Sequence, residues 1–164
     1  MNRAELEAYI LDNYSTEPSY PWRKYPGFAV FRHSSNQKWF ALIMDVPKSR
    51  LGLQESGSLH VVNLKCDPIL IGSLLGKTGF FPAYHMSKEH WITAALDGSV
   101  PDDQLKLLLD MSYEATAPRA RKKQSKLPGG RKTVKSKNGE NLVFSRGGVT
   151  KVTPFPFSSA HSEG

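Results

Sequence analysis

Apolar residues at the start of the chain recur with the three- and four-residue spacing of a helix. Leu6, Tyr9 and Ile10 form this apolar stripe. Asn2 stands before it with Glu5 three residues later, an arrangement typical of a capping box, in which each side chain bonds the other residue's amide. The pattern therefore predicts a helix that begins just after Asn2. A loop rich in proline follows over residues 18–27.

Three runs of aliphatic and aromatic residues then predict three strands, at 28–32, 38–46 and 59–65. The first two are separated by Ser34-Ser35-Asn36-Gln37, a short polar segment that predicts a hairpin turn. The second run, WFALIMDV, is apolar at nearly every position. We therefore expect both faces of this strand to be covered.

Two more helices and a fourth strand complete the pattern. Asp67 and Pro68 are typical of a helix start, because aspartate caps free amides and proline has no amide hydrogen to lose. A strand is predicted at 90–96, and a last helix starts at 101–103. The core-facing stripe of that helix consists of Leu105, Leu108 and Leu109. This order of elements predicts an α+β fold, a mostly antiparallel sheet packed against helices.

The composition changes after Thr116, and this predicts two regions. Residues 1–117 form the α+β domain, and residues 118–164 form a basic low-complexity tail. The tail has few apolar residues to offset its ordering entropy, so we expect it to be mostly disordered. Asn138-Gly139 is a turn signal within it, which is typical of a marginal hairpin.

Charge is distributed unevenly between the two regions. The 22 basic and 15 acidic residues give a net charge of +7. Residues 1–117 hold 11 basic and 13 acidic side chains, a net charge of −2, whereas residues 118–164 hold 11 and 2, a net charge of +9. A flexible polycation of this kind binds phosphates without sequence preference. The predicted phosphate contacts are Arg119, Arg121, Lys122, Lys123, Lys126, Arg131 and Lys132.

Cysteine usage and hydropathy bear on the compartment. Cys66 is the single cysteine, so an intrachain disulfide is excluded and a reducing compartment is expected. The first residues lack the apolar stretch of a signal peptide, and no apolar run approaches the roughly 20 residues that span a bilayer. We therefore expect a cytoplasmic protein that does not enter a membrane.

The densest cluster of polar and aromatic side chains is FPAYHMSKEHWITAALDG, residues 80–97. His85 and His90 are five positions apart, about 140° out of line on a helix, and no cysteine pair or third histidine completes a set. No metal site and no cofactor is therefore predicted. Cys66 with either histidine would make a nucleophile–base pair, but the sequence signature of a cysteine hydrolase is absent, so no catalytic residue is predicted. The residue mix favours a surface for phosphate, bases or an anionic ligand.

Three blocks carry a resemblance: FRHSSNQKWFALIMDVPKSRLGL, VNLKCDP and PAYHMSKEHWITAALDGSVPDDQLKLLLDMSYE. In this order they resemble the MmcQ/YjbR family, with its K-x-F-A-L strand, its N-L-K-C-D-P junction, its G-Y-H-M-N-K-x-H-W segment and its closing helix. Ala83 stands where members commonly have glycine, and Ser87 where asparagine is usual. The resemblance covers about residues 1–117. It implies a CyaY-like fold, a double-wing mode of DNA binding and no established catalytic activity.

The leading hypothesis is a non-enzymatic protein, monomeric, that binds nucleic acid, with DNA the expected class. The alternative is a regulatory domain that binds a ligand or a partner through a cleft near Lys65, His85 and His90. An enzyme is the third possibility. The side chains predicted to contact nucleic acid or ligand within the domain are Arg32, Lys38, Lys48, Arg50, Lys65, Tyr84, His85, Lys88 and His90.

Overall fold

The structure, a computed structural model, describes residues 1–120 and three strands within residues 133–151. Helix α1 spans Arg3–Tyr14 and begins with the predicted capping box. The Asn2 side chain accepts a hydrogen bond from the Glu5 amide at 3.0 Å, and the Glu5 carboxylate accepts one from the Asn2 amide at 2.7 Å. Two amides that the first helical turn leaves without partners are thereby satisfied.

Five antiparallel strands form the sheet of the first unit. In chain order they are β1 (Ala29–Arg32), β2 (Trp39–Pro47), β3 (Ser58–Lys65), β4 (Phe80–Pro82) and β5 (Trp91–Ala95). Their spatial order is β1-β2-β3-β5-β4, and each neighbouring pair runs antiparallel. Outside β1, Ser19 forms an isolated antiparallel bridge with Val30. The predicted fold class is confirmed.

Two elements were not predicted from the sequence. Strand β4 has three residues, which is too short for alternation to be recognised. It follows Gly79, whose φ of +86° and close approach to Ser99 leave no room for a side chain. The other is a single 3-10 turn, Lys48–Leu51, which directly follows Pro47.

Two further helices lie in the first unit. Helix α2 spans Pro68–Leu74, and the Asp67 carboxylate accepts a hydrogen bond from the Ile69 amide at 2.9 Å, as the sequence predicts. Helix α3 spans Asp102–Thr116. Leu105, Leu108 and Leu109 are all buried, which confirms the predicted core stripe.

The two faces of the sheet are covered differently. All three helices pack against one face, here called the helix face, where their apolar stripes meet Phe31, Ile43, Val62, Leu64 and Ile92. The opposite face, here called the loop face, is covered by side chains from loops and turns, among them Trp22, Phe28, Tyr84 and Met86. Strand β2 is buried at five consecutive positions, so the prediction that both of its faces are covered is confirmed.

The chain divides into two compact units, Met1–Arg119 and Ala120–Gly164, and the division falls two residues after the predicted boundary. In the second unit the structure describes the strands β6 (Thr133–Lys135), β7 (Asn141–Ser145) and β8 (Gly148–Lys151), which pair antiparallel in that order. The sequence predicts one marginal hairpin here within a disordered tail, and β6 and β7 flank its turn signal. The other tail residues predicted to be disordered lie outside the described residues.

Candidate functional site

A cavity of about 320 Å³ opens at the end of the sheet where β2 begins and β3 ends, between side chains of the loop face and the last turn of α3. Its charged side chains are Lys38 and Lys65, so it is here called the lysine cavity. The residues that line it are Lys38, Trp39, Lys65, Met86, Trp91, Ala115 and Thr116. Two cations therefore stand beside two indole rings.

Ser112 on α3 joins the two strands that carry these lysines. Its hydroxyl accepts a hydrogen bond from the Lys65 amide at 2.8 Å and donates one to the Phe40 carbonyl at 2.5 Å. Ser112 is fully buried, and both partners lie next to the cavity along the chain. The helix thus fixes the backbone spacing from which the two lysines emerge.

The cations of this region lie against tryptophan rings. Lys65 Nζ is 5.6 Å from the ring centre of Trp91, and the Arg32 guanidinium carbon is 5.4 Å from that of Trp39. Arg32 Nε is the one buried side-chain nitrogen or oxygen of the described residues without a hydrogen-bond partner. A buried donor in this condition costs about 1–3 kcal/mol. The contact with Trp39 therefore holds the Arg32 guanidinium in a position where its Nε has no hydrogen-bond acceptor.

A second cavity, of about 420 Å³, adjoins the first and is here called the aromatic cavity. Its lining residues are Trp22, Tyr25, Phe28, Trp39, Leu42, Met44, His85 and Met86. Trp39 and Met86 are common to both cavities, so the two are contiguous. Neither cavity has an acidic side chain among its lining residues.

His85 reaches the aromatic cavity from a strained backbone. Its φ of 57° lies in the left-handed region, which only a few per cent of residues other than glycine adopt, histidine more often than most. Two buried polar side chains hold the preceding residue: the Asn63 amide donates to the Tyr84 carbonyl at 2.7 Å, and the Tyr84 amide donates to the Thr93 hydroxyl at 3.0 Å. That hydroxyl donates to the Asn63 amide oxygen at 2.5 Å, which closes the network.

The hairpin turn between β1 and β2 fixes the end of α3. His33 Nε2 lies 2.9 Å from the Tyr113 carbonyl and 2.9 Å from the Thr116 hydroxyl, and the Asn36 amide donates to the Thr116 carbonyl at 2.9 Å. Thr116 lines the lysine cavity, and α3 ends there. The last turn of α3 is therefore fixed beside that cavity.

The structure separates basic residues that the sequence predicts as members of one set of contacts. Lys38 and Lys48 stand at opposite ends of β2, about 30 Å apart at the usual rise of a strand. Lys48 pairs with Glu55 at 2.5 Å and lines a third cavity, of about 360 Å³, together with Lys77 and Asp97. Arg50 is exposed on the 3-10 turn and lines none of the three cavities described here.

The third cavity mixes both signs of charge. Burial raises the pKa of Asp97, but hydrogen bonds from Ser99 and the nearby Lys48 charge outweigh it, and the net effect is a pKa below the usual range. Asp97 is therefore an anion at neutral pH, facing the lysines of this cavity. An anionic ligand would meet repulsion here that it would not meet in the lysine cavity.

The remaining predicted residues lie along the turn from Tyr84 to His90. The Tyr84 ring is half-buried and contacts the His85 ring, with centres 4.0 Å apart. Lys88 and His90 are exposed and line neither the lysine cavity nor the aromatic cavity. The His90 carbonyl instead accepts a hydrogen bond from the Cys66 amide at 2.9 Å, which joins the end of β3 to the start of β5. Arg119 is exposed, and the other predicted tail contacts lie outside the described residues.

The environment of Cys66 differs from that of a reactive cysteine. Burial, more than any other effect, raises the pKa of its thiol, which keeps the sulfur protonated. Within residues 1–120, no group of three or more histidine, cysteine, aspartate or glutamate side chains is placed to hold a metal ion. In the same range no helix is long and apolar enough to cross a membrane.

Known proteins share the sequence that builds these cavities. A family model described as YjbR matches residues 11–115, well over half of the chain. The chain belongs to the YjbR family. The predicted resemblance is therefore confirmed, and the matched region holds every lining residue of the lysine and aromatic cavities except Thr116.

Two bacterial relatives in the YjbR family carry descriptions as uncharacterized proteins. YyaQ of Bacillus subtilis is 39% identical over 116 residues, which cover 71% of this chain and 98% of YyaQ. YjbR of Escherichia coli is 38% identical over 63 residues, 38% of this chain and 53% of YjbR. YyaQ thus corresponds in length to the first unit alone.

Solved structures of similar proteins also correspond to the first unit of this chain. A crystal structure of a Pseudomonas syringae protein is 44% identical and superposes with a TM-score of 0.70, covering 71% of this chain and all of that one. A Deinococcus radiodurans protein, at 24% identity and a TM-score of 0.56, shares the fold. The Pseudomonas chain consists of the YjbR domain alone, so a domain of this length folds without a tail.

Several residues of the site escaped the sequence analysis. Trp39 and Met86, which separate the two cavities, lie in an apolar strand and a turn, where nothing in the local pattern distinguishes them from core residues. Ser112 left a signal, because it is a small polar residue within the apolar stripe of α3, four positions after Leu108. A polar residue at such a position must find a hydrogen-bond partner in the core.

Proposed function

We propose that this member of the YjbR family is a non-enzymatic nucleic-acid-binding protein, with DNA the expected class. The observation that carries the proposal is the lysine cavity, where Lys38 and Lys65 stand beside Trp39 and Trp91 with no acidic residue in the lining. Cations neutralise phosphates and aromatic rings stack on bases, and proteins that bind nucleic acid combine the two.

The distribution of charge within the first unit supports this proposal despite its net charge of −2. Seven of its thirteen acidic residues lie on α1 and α3 (Glu5, Glu7, Asp12, Asp102, Asp103, Asp110 and Glu114). Both helices pack against the helix face. The two cavities of the loop face are free of acidic lining, so a polyanion meets a favourable field there and an unfavourable one on the helices.

The tail supplies all of the net positive charge of the chain. Residues 118–164 carry a net charge of +9, and they begin two positions after Thr116, which lines the lysine cavity. Because they are covalently attached at that point, their local concentration near any nucleic acid bound there is high. We propose that the tail adds affinity without sequence preference, and that contacts of the folded unit supply whatever selectivity the protein has.

Binding across a salt series tests the proposal. Full-length protein and a chain that ends at Ala117 are each titrated with duplex DNA, single-stranded DNA and RNA. If the tail neutralises about five phosphates of a duplex, the slope of log affinity against log salt is about −4 to −5 for the full chain. The shorter chain should keep its fold, lose most of that slope and retain any preference among the nucleic acids.

Two other results would change the proposal. Equal affinity and equal salt slope for both chains would assign the electrostatic binding to the folded unit. If neither chain binds any nucleic acid at low salt, the proposal fails.

The second candidate function is a regulatory domain that binds a small ligand or a partner at the same place. It is favoured by the aromatic cavity, because its volume of about 420 Å³ lies within the usual range of small-molecule pockets. A screen of small aromatic anions by thermal shift separates the two candidates. Stabilisation by such a compound, together with an absence of nucleic-acid binding, would favour the second.

A further inference from the structure

We infer that the loop face binds unpaired nucleotides, with a base in the aromatic cavity and its phosphate at the lysine cavity. The inference rests on the proposed function and deepens it, because it specifies single strands over duplex. Its first support is contiguity: Trp39 and Met86 line both cavities, so one ligand can occupy both. A nucleotide has this bipartite form, a flat ring joined to an anion through one sugar.

The aromatic cavity matches the ring of a base in shape and chemistry. Trp22 stands nearly perpendicular to Trp39, with ring centres 5.6 Å apart and an interplanar angle of 83°, and Tyr25 stacks on Phe28 at 4.8 Å. These rings wall a recess that ends on Leu42 and Met44 of β2. A base within a duplex has its faces covered by its neighbours and its edge by its partner, so it enters such a recess only when unpaired.

The polar groups at the rim complement the phosphate. Lys38 and Lys65 line the adjoining cavity, and Arg32 lies over Trp39 with a buried Nε that lacks an acceptor. An oxyanion that draws this guanidinium toward the rim relieves the missing bond. Lys65 Nζ, 5.6 Å from the Trp91 ring centre, is already held beside the same cavity.

One of the three non-glycine residues with a positive φ in the first unit, His85, lies at the same place, whereas Ser15 and Gln37 lie in other turns. His85 keeps a positive φ and presents its ring to the aromatic cavity, and the buried pair Asn63 and Thr93 holds the turn that carries it. A conformation of this kind persists where the surrounding structure enforces it, and such residues cluster at binding sites. The imidazole adds a further flat ring to the wall that a base would contact.

Duplex recognition fits the described residues less well. Reading base edges in the major groove requires a helix or a two-stranded ribbon that protrudes into it. The helices carry most of the acidic residues of the unit, and the turn between β1 and β2, which would form such a ribbon, is held to α3 through Asn36. The cationic and aromatic groups instead line two adjoining cavities.

Intrinsic fluorescence reports directly on this site. The chain has three tryptophans: Trp22 lines the aromatic cavity, Trp91 lines the lysine cavity, and Trp39 lines both. Full-length protein is titrated with a ten-nucleotide thymidine strand, with a ten-base-pair duplex and with thymidine monophosphate, at one fixed salt concentration. We expect the single strand to quench the tryptophan emission and to bind at least about tenfold more tightly than the duplex.

Variants locate the binding. Lys65→Gln should weaken the strand and the mononucleotide severalfold, and the matched control Lys48→Gln, at the far end of the sheet, should leave both unchanged. Trp39→Leu should reduce the preference for single strands to within about twofold. Trp39→Phe, which keeps an aromatic ring, should preserve the preference and serves as the measurement if the leucine variant does not fold.

Three other outcomes of these titrations would contradict the inference. If the duplex binds as tightly as the strand and the emission does not change, the inference fails while the proposed function stands. If no nucleic acid binds, both fail. If the mononucleotide binds as tightly as the ten-nucleotide strand, the site takes free nucleotides, and its assignment to single strands is overturned.

Discussion

The two faces of the five-stranded sheet are built from the same strands but are covered in different ways. Strands β2 and β3 send alternate side chains to opposite sides, so each face receives a similar share of aliphatic residues. On the helix face, three amphipathic helices cover these residues with their own aliphatic stripes. On the loop face, the cover consists mainly of individual aromatic and aliphatic side chains from loops and turns, and two cavities remain between them. Regular elements close a surface, whereas rings from irregular segments leave recesses.

The polar groups of the two faces differ in the same way. On the helix side, Ser112 joins α3 to two strands through its hydroxyl. On the loop side, Asn63 and Thr93 are fully buried, but their hydrogen bonds serve to hold the turn that carries His85. Buried polar side chains thus join a helix to the sheet on one face, and hold a turn of the candidate site on the other.

The largest expected effect comes from the buried side of α3, which packs on the helix face, in comparison with the exposed side of the same helix. Leu108→Ala removes a side chain that is 4% exposed, and should lower the free energy of unfolding by about 2–5 kcal/mol, because a cavity is left in the core. Leu107→Ala is the matched control, since Leu107 is 58% exposed on the same helix. It should change the free energy by no more than about 0.5 kcal/mol in urea titrations. Equal losses for the two variants would mean that α3 is not docked by its leucine stripe.

The buried polar pair of the loop face should give a smaller loss. Thr93→Val keeps the shape of the side chain but leaves the Tyr84 amide and the Asn63 carbonyl oxygen without their partner, which costs about 1–3 kcal/mol. Hydrogen exchange at the Tyr84 amide should accelerate together with this loss. The exposed Thr78→Val provides the control. Unchanged exchange at Tyr84 would show that the network does not hold the turn.

Two substitutions of His85 isolate its backbone strain. Glycine adopts a positive φ without strain and alanine does not, so His85→Gly should be more stable than His85→Ala by about 1 kcal/mol. Both variants lack the imidazole, and both should bind the thymidine strand more weakly than the parent protein. Thermal unfolding and the fluorescence titration measure the two quantities. If the alanine variant is the more stable one, the strain assigned to this residue is absent.

The smallest effect concerns the far end of the sheet. Lys48 pairs with Glu55, a residue whose side chain is 74% exposed, and surface pairs of this kind contribute at most about 1 kcal/mol. Lys48→Ala should therefore change the free energy of unfolding by less than that amount. Its affinity for nucleic acid should match that of the parent chain, in contrast to Lys65→Gln. A loss equal to that of Lys65→Gln would extend the site across the whole sheet.

Local sequence rules predicted most of the fold and part of the site. The capping box at Asn2, the cap at Asp67 and the apolar stripe of α3 each depend on residues within a few positions of one another, and each is confirmed. Lys48 and Lys38 were predicted as contacts of one ligand, but they lie far apart, because the nine residues of β2 separate them. Residues that are close in the sequence are therefore close in space only within a helical turn or within a few positions of a strand.

The tertiary part of the site could not be predicted in the same way. Lys38, Trp91 and Thr116 meet at one cavity from a turn, a strand and the last turn of a helix, and their separation along the chain gives no sign of this. The positive φ of His85 is likewise imposed by Asn63, more than twenty residues earlier. Lys65 and His85 were predicted on residue type, but the residues that connect their cavities are Trp39 and Met86, neither of which was predicted as a contact.

The order of the strands has a consequence for how this domain behaves at high concentration. Exposed edge strands offer unpaired amides and carbonyls on which a second chain can assemble, and this is a common route to aggregation. Here one edge, β4, has three residues and ends at Pro82, which has no amide to donate. At the other edge, Ser19 already bonds both the amide and the carbonyl of Val30, at 2.8 and 2.9 Å. Neither edge presents a long ladder of free groups, so growth of the sheet by addition of foreign strands is blocked at both ends.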